Sequence, residues 1–170
     1  MAELSARAKL SPWPSLVLGL IAFGIDRLHK GFQVDMMGWR GGEIVPVTSF
    51  FDYVLVWNTG ISYGLLSALP VWGLLAIAVV ATGLLAVWWF KADAPLTRYG
   101  LALCIGGAVS NGIDRWIYGA VADFFHFHWG TWSFYIFNIA DMAITLGVLI
   151  LIVDVFMPRR DIVATGTSDK

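Results

Sequence analysis

Between residues 106 and 141 an otherwise apolar sequence is interrupted by Asn111, Asp114, Arg115, Asp123, Asn138 and Asp141. Ionisable groups beside segments apolar enough for a bilayer are costly, and so point to function. On a helix Asn111 shares a face with Asp114 and Arg115, and Asn138 lies one turn before Asp141. Two helix ends can therefore each offer an amide and an acid to one cleft, with Asp123 entering from the segment between them. Two carboxylates sharing a site do not both ionise. One keeps a proton, leaving a base and an acid around a water, an arrangement that hydrolyses a peptide bond without metal or covalent intermediate. Spacing alone leaves a second reading open, in which these acids form structural ion pairs with Arg115.

Other chemistries find weaker support. His126 and His128 alternate, so in a strand they share a face and could bind a metal together with Asp123. A lone His-x-His in an aromatic loop is more simply interfacial packing, and no His-Glu-x-x-His helix accompanies it, so neither metal nor cofactor is expected. Ser62 and Ser110 lack a nucleophile elbow and read as turn and helix-packing residues. Gly106 and Gly107 fall within a span and suit close helix contact, not a phosphate cradle. Asp26 and Lys30 stand four apart on a helix and can pair on one face.

The elements that must position these residues are set by composition. Of 170 residues 58% are hydrophobic and only 14% charged, with a mean hydropathy of +0.73, far beyond an ordinary soluble domain. A net charge of -1 supplies no basic stripe for nucleic acid. Cys104 is the sole cysteine, so it forms no intrachain disulfide and packs as a small apolar residue. No linker, charge block or repeat divides the chain, which reads as one domain over 1–170.

Spans are expected at about 13–30, 69–90, 96–116 and 138–156. Ser11 and Pro12 would cap and open the first, an uncleaved span and not a removed leader. Residues 31–67 form an extramembrane flap with strands near 44–48 and 50–57, in which Trp39, Tyr53 and Trp57 suit the headgroup boundary. Asn58-Thr59-Gly60 through Gly64 marks a turn leading into a short helix to Ser67. Residues 120–137 read as an aromatic hairpin turning at Gly130. Four spans place both termini on one side, where Arg7, Lys9, Lys91, Arg98, Arg159, Arg160 and Lys170 outnumber Arg27, Lys30, Arg40 and Arg115 opposite. The termini are then cytoplasmic, and the flap, hairpin and clustered acids face outward. A small ion-coupled transporter or scaffold is the competing class, but its acids belong at mid-membrane, not at the outer helix ends.

Four blocks of this sequence resemble lipoprotein signal peptidase, the intramembrane aspartic peptidase family also called signal peptidase II. They are Asp26 to Lys30; Asn58-Thr59-Gly60 to Gly64; Gly106 to Arg115 with Val121-Ala122-Asp123-Phe124; and Phe137-Asn138-Ile139-Ala140-Asp141. The resemblance implies an all-α membrane protein of four transmembrane helices with a small extracytoplasmic β-cradle and a short interfacial helix. It implies that Asp123 and Asp141 are the catalytic pair, that Asn58, Gly60, Asn111, Arg115 and Asn138 line the site, and that Asp26, Lys30 and Asp114 support the outer helix ends. The expected substrates are bacterial prolipoproteins, cut before a diacylglyceryl-modified cysteine. The expected setting is the bacterial inner membrane, with membrane lipids as partners, a monomeric state and no cofactor. The chain departs from the family pattern at Arg27, His29, Tyr63 and Ser110. A gating role for the flap would draw on Gly60 and Gly64.

Overall fold

A computed structural model describes residues 11–60 and 70–157. The expected turn at Ser62, Tyr63 and Gly64, the short helix to Ser67 and the start of a span at Leu69 lie outside the described residues. So do Arg7, Lys9, Arg159, Arg160 and Lys170. Within them the chain forms helices α1 (Trp13–Gly31), α2 (Val71–Lys91), α3 (Pro95–Tyr118) and α4 (Ile139–Phe156). Strands β1 (Ile44–Thr48), β2 (Phe51–Asn58), β3 (Val121–Trp129) and β4 (Trp132–Ser133) make one antiparallel sheet in the order β1-β2-β3-β4.

The helices follow the expected boundaries to within a few residues. Ser11 does not cap α1, however: the chain enters through Pro12 without a side-chain cap, and the Ser15 hydroxyl donates to the Pro12 carbonyl at 2.8 Å. α1 leaves through a wide π-type turn, Phe32–Met36, that buries Val34. Two helices, α2 and α4, are long and apolar enough to cross a membrane, with mean hydropathies of 2.2 and 2.3. The other two carry buried charge at one end, Asp26 and Lys30 on α1 and Asp114 on α3. Side chains such as Ile77, Val80, Leu84, Val87, Leu149, Ile152 and Val153 stand exposed along α2 and α4, more apolar surface than water tolerates on a monomer.

α3 is the central helix, in contact with α1, α2 and α4. It comes that close because glycine faces backbone at its crossings. A Cβ at Gly106 would overlap the Gly19 carbonyl oxygen, and one at Gly107 would lie 2.5 Å from that of Ala140. Small residues thus let the helix backbones meet directly.

The segment after α3 is more regular than an irregular hairpin. Gly119 caps α3 at φ 75°, a left-handed conformation that glycine adopts at little cost, and its N–H donates to Arg115 O at 3.1 Å. The chain reverses into nine-residue β3, which pairs with β2 and turns back at Gly130 into β4. The flap and the hairpin are therefore one sheet. Beneath it Val34, Leu55, Ala122 and Phe124 form a buried core, flanked by Trp39, Tyr53, Trp57 and Tyr118. β2 departs from regular pairing between Tyr53 and Val56, opposite the step from Phe125 to Asp123. A bulge there re-aims the strand, burying Leu55 fully and setting Val56 across from Asp123.

Candidate active site

Asp123 sits in the buried first half of β3, 2% exposed, and Asp141 in the first turn of α4. Three asparagines surround them, and in each an independent partner fixes which end of the amide faces the acids. Asn58, the last residue of β2, accepts the Gly60 N–H on its oxygen at 3.0 Å, so its nitrogen donates to Asp123 Oδ2 at 3.0 Å. Asn138 caps α4 by accepting the Asp141 N–H at 2.9 Å, and its nitrogen donates to Asp123 Oδ1 at 2.6 Å. Asn111, on α3, accepts Lys30 Nζ on its oxygen at 2.8 Å and donates to Asp141 Oδ1 at 2.8 Å. Flipping any of them would set donor against donor or oxygen against carboxylate, so the network assigns all three.

Asn138 joins the two acids. Its side chain holds Asp123, while its backbone N–H donates to Asp141 Oδ2 at 3.3 Å, completing a reciprocal capping box with aspartate in the third position. The side-chain nitrogen of Asn138 also meets Asn111 Oδ1 at 3.2 Å and the Ala122 carbonyl at 3.3 Å. Burial first, and the negative charge of Asp141 second, push Asp123 up to about 7, against the opposite pull of the Asn58 and Asn138 amides. Near neutral pH Asp123 therefore holds a proton that an ordinary carboxylate would have lost.

A cavity of about 200 Å³ opens beside Asp141, lined by Asn58, Gly60, Asn111, Arg115 and Val121 among others. A larger hollow of about 310 Å³ between α1, α2 and α3 is wholly apolar and remote from these acids. Arg115 Nη2 donates to the Gly60 carbonyl at 3.1 Å and Nη1 to the Asn111 carbonyl at 3.4 Å, tying the turn after β2 to α3. Among the described residues Arg115 makes no ion pair with an aspartate within 4.0 Å. Its partners are carbonyls, and its Nε is buried without a hydrogen bond among the described residues.

The other expected residues separate into two places. Asp26, Lys30 and Asp114 do not line the cavity but form a buried cluster behind it. Lys30 Nζ lies 2.8 Å from Asp26 Oδ2 and 2.7 Å from Asp114 Oδ2, so the expected pairing within α1 is present and extends to α3. Asp114 thus turns away from the cleft it was expected to share with Asn111. Two residues not expected at the site complete this cluster: Arg27 donates to Asp114 Oδ1, and the Ser110 hydroxyl, expected only to pack, donates to Asp26 Oδ2 at 2.6 Å. Ser110 is a hydrogen-bonding residue and not merely a packing one. No motif announced these roles, although a serine and an arginine one helix face from buried acids were the available signal.

His126 and His128 do share a face of β3, but they turn to Asp52 on β2, not to Asp123. Asp52 Oδ2 lies 3.7 Å from His126 Nδ1 and 3.1 Å from His128 Nε2. Alternation explains the separation: Asp123 is an odd position of the strand and the histidines are even ones, so they point to opposite faces. His29 packs edge-on to Phe124 and meets the Tyr53 hydroxyl at 2.6 Å. Burial raises the Tyr53 phenol to about 12, which keeps it neutral.

Known proteins repeat this arrangement of sequence and fold. A lipoprotein signal peptidase of Rhodopseudomonas palustris (strain TIE-1) is 44% identical over 151 residues, covering 82% of this chain and 89% of that one. One from Nitrobacter hamburgensis is 48% identical over 148 residues, covering 83% and 88%, and one from Methylobacterium radiotolerans is 40% identical over 160, covering 91% and 92%. A solved bacterial membrane enzyme superposes with a TM-score of 0.74 at 25% identity, over 84% of this chain and 87% of that one. A second, at 24% identity, shares the fold with a TM-score of 0.72 over 85% and 93%. The family model for signal peptidase (SPase) II matches residues 18–157, a stretch that takes in every amide and acid described above, and the chain belongs to the signal peptidase II family.

Proposed function

We propose that this protein is an aspartic endopeptidase that removes signal peptides from bacterial prolipoproteins, cleaving just before the lipid-modified cysteine, with Asp123 and Asp141 as its catalytic pair. The observation that carries the reading is the convergence of three orientation-fixed amides on two aspartates beside a small cavity. The ionised member of the pair takes a proton from water, which attacks the scissile carbonyl. The protonated member donates to the carbonyl oxygen, and the two exchange roles as the amine leaves. The amides hold both carboxylates still through this exchange, so geometry is prepaid. Arg115, Gly60 and Asn58, which line the cavity, border the bound segment.

The setting that suits this chemistry is the inner membrane. All four helices span it as one domain with the termini cytoplasmic, and the sheet lies at the outer face. The substrate's signal helix and acyl chains stay in the surrounding lipid, and the enzyme acts as a monomer without a metal. An assay with lipidated prolipoprotein in detergent tests this directly. The native chain cleaves, Asp123→Asn and Asp141→Asn each abolish turnover while still inserting into membranes, and chelator changes nothing. Substantial turnover by either variant would remove the dyad.

A further inference from the structure

The buried charges behind the cavity are arranged with a symmetry that ion pairing alone does not require. Asp26 Oδ1 accepts the backbone N–H of Ala140 at 2.8 Å, the residue immediately before Asp141. Asp114 Oδ2 accepts the backbone N–H of Ala122 at 3.3 Å, the residue immediately before Asp123. Each supporting carboxylate therefore grips the chain one residue ahead of one member of the dyad. Both in turn bind the same ammonium: Lys30 Nζ is 2.8 Å from Asp26 Oδ2 and 2.7 Å from Asp114 Oδ2. Its third hydrogen bond, at 2.8 Å, goes to Asn111 Oδ1, whose nitrogen holds Asp141. An ammonium has three N–H bonds and no acceptor, so Lys30 is saturated, and its side chain is 1% exposed.

We infer that Lys30 is a positioning residue that sets the separation of Asp123 and Asp141, by clamping together the two carboxylates that anchor their strands of chain. This rests on the reading of those aspartates as the catalytic pair. The cluster is charge-balanced and hydrogen-bonded, as a rigid clamp must be. Arg27 and Lys30 offset Asp26 and Asp114 in charge, and the Ser110 hydroxyl satisfies the remaining side of Asp26. Arg27 occupies the outer oxygen of Asp114, which leaves the inner one to Lys30 and Ala122. The three elements that meet at Lys30, namely the end of α1, the outer end of α3 and the start of α4, have no covalent connection at this point.

A merely structural role and a positioning role part company in a charge-balanced variant. Asp26→Asn with Lys30→Met removes one charge of each sign and keeps an oxygen for the Ala140 N–H, but it severs both arms of the clamp. In detergent the double variant is expected to melt within a few degrees of the native protein and to keep KM within about twofold, while kcat falls about 100-fold, the cost of roughly an ångström of misplacement. Native kcat in the folded double variant would overturn the inference. Should that variant not fold, Asp26→Asn, Asp114→Asn and their combination decide. Each slackens one arm, and because both arms meet at one ammonium, their losses in kcat do not multiply when combined. Simple multiplication overturns the clamp. Cleavage by the native chain and by Asp141→Asn is measured in the same experiment: turnover by Asp141→Asn sinks the catalytic reading, and its absence leaves the clamp to be judged on its own variants.

Discussion

Asn111 gives its amide nitrogen to Asp141 Oδ1 and its oxygen to Lys30 Nζ, each at 2.8 Å, and so faces a cation on one side and an acid on the other. The orientation follows from what Lys30 lacks: with no acceptor, it can only hold the oxygen end. Asn111→Ala removes the donor to Asp141 and strands one Lys30 N–H. A hydrogen bond to a charged group is worth about 1.5–3 kcal/mol, so kcat should fall by roughly 10- to 150-fold. Single-turnover kinetics at saturating substrate checks this, and a loss confined to KM would contradict it.

The pH behaviour follows from Asp123. Its folded value of about 7 stands above an ordinary 3.8, so the folded protein binds this proton more tightly than the unfolded chain does. Its contribution to stability is complete below about 3.8 and is lost as pH rises through about 7. Asp123→Asn should therefore melt higher than the native protein at pH 8, by a margin that shrinks as pH falls through 5 and vanishes below about 3.8. The proposed mechanism needs one proton on the pair, so kcat should decline above about pH 7. A profile flat from pH 6 to pH 9 would sink the shared-proton mechanism.

What the sequence shows of this site is uneven, for physical reasons. Asp123, Asp141, Asn111 and Asn138 stand out because polar groups in or beside long apolar segments are rare enough to see individually. Helix limits were legible from apolar length, since a bilayer imposes a minimum. The buried clamp was not: Asp26 and Asp114 accept backbone N–H groups from residues 114 and 8 positions away, and alanine at the donating position carries no signal. The partner of the two histidines was also hidden. Which strand lies opposite β3 depends on a pairing across α2 and α3, and period-two alternation specifies a face but not its neighbour.

That pairing yields a prediction about chemistry that should be absent. His126 and His128 lie against Asp52 on the face of β3 opposite Asp123, and His126 Nε2 meets the Ser133 hydroxyl at 2.8 Å. They join β2, β3 and β4 across the sheet on the face away from Asp123. The double variant His126→Gln and His128→Gln should keep kcat/KM within about threefold, because surface polar substitutions usually cost under about 0.5 kcal/mol. A loss of about 100-fold, or inactivation of the native protein by chelator, would instead place these rings in the reaction.

The glycines of α3 separate into those that hold the bundle together and those that do not. A Cβ at Gly106 would overlap the Gly19 carbonyl oxygen, which belongs to rigid helix backbone and cannot rotate aside. At Gly112, six residues further along the same helix, an added Cβ meets nothing within 4 Å. Gly106→Ala must therefore push α1 and α3 apart, at a typical overpacking cost of about 1–3 kcal/mol. Gly112→Ala gains helix propensity of about 1 kcal/mol without a clash. Since α1 carries Lys30 and α3 carries Asn111, separation at Gly106 also stretches the contact that orients the Asn111 amide toward Asp141. Thermal melts in detergent should show Gly106→Ala below the native protein and Gly112→Ala at or above it. Only the first should lose activity, and equal melting of the two variants would mean that close backbone contact does not set this helix crossing.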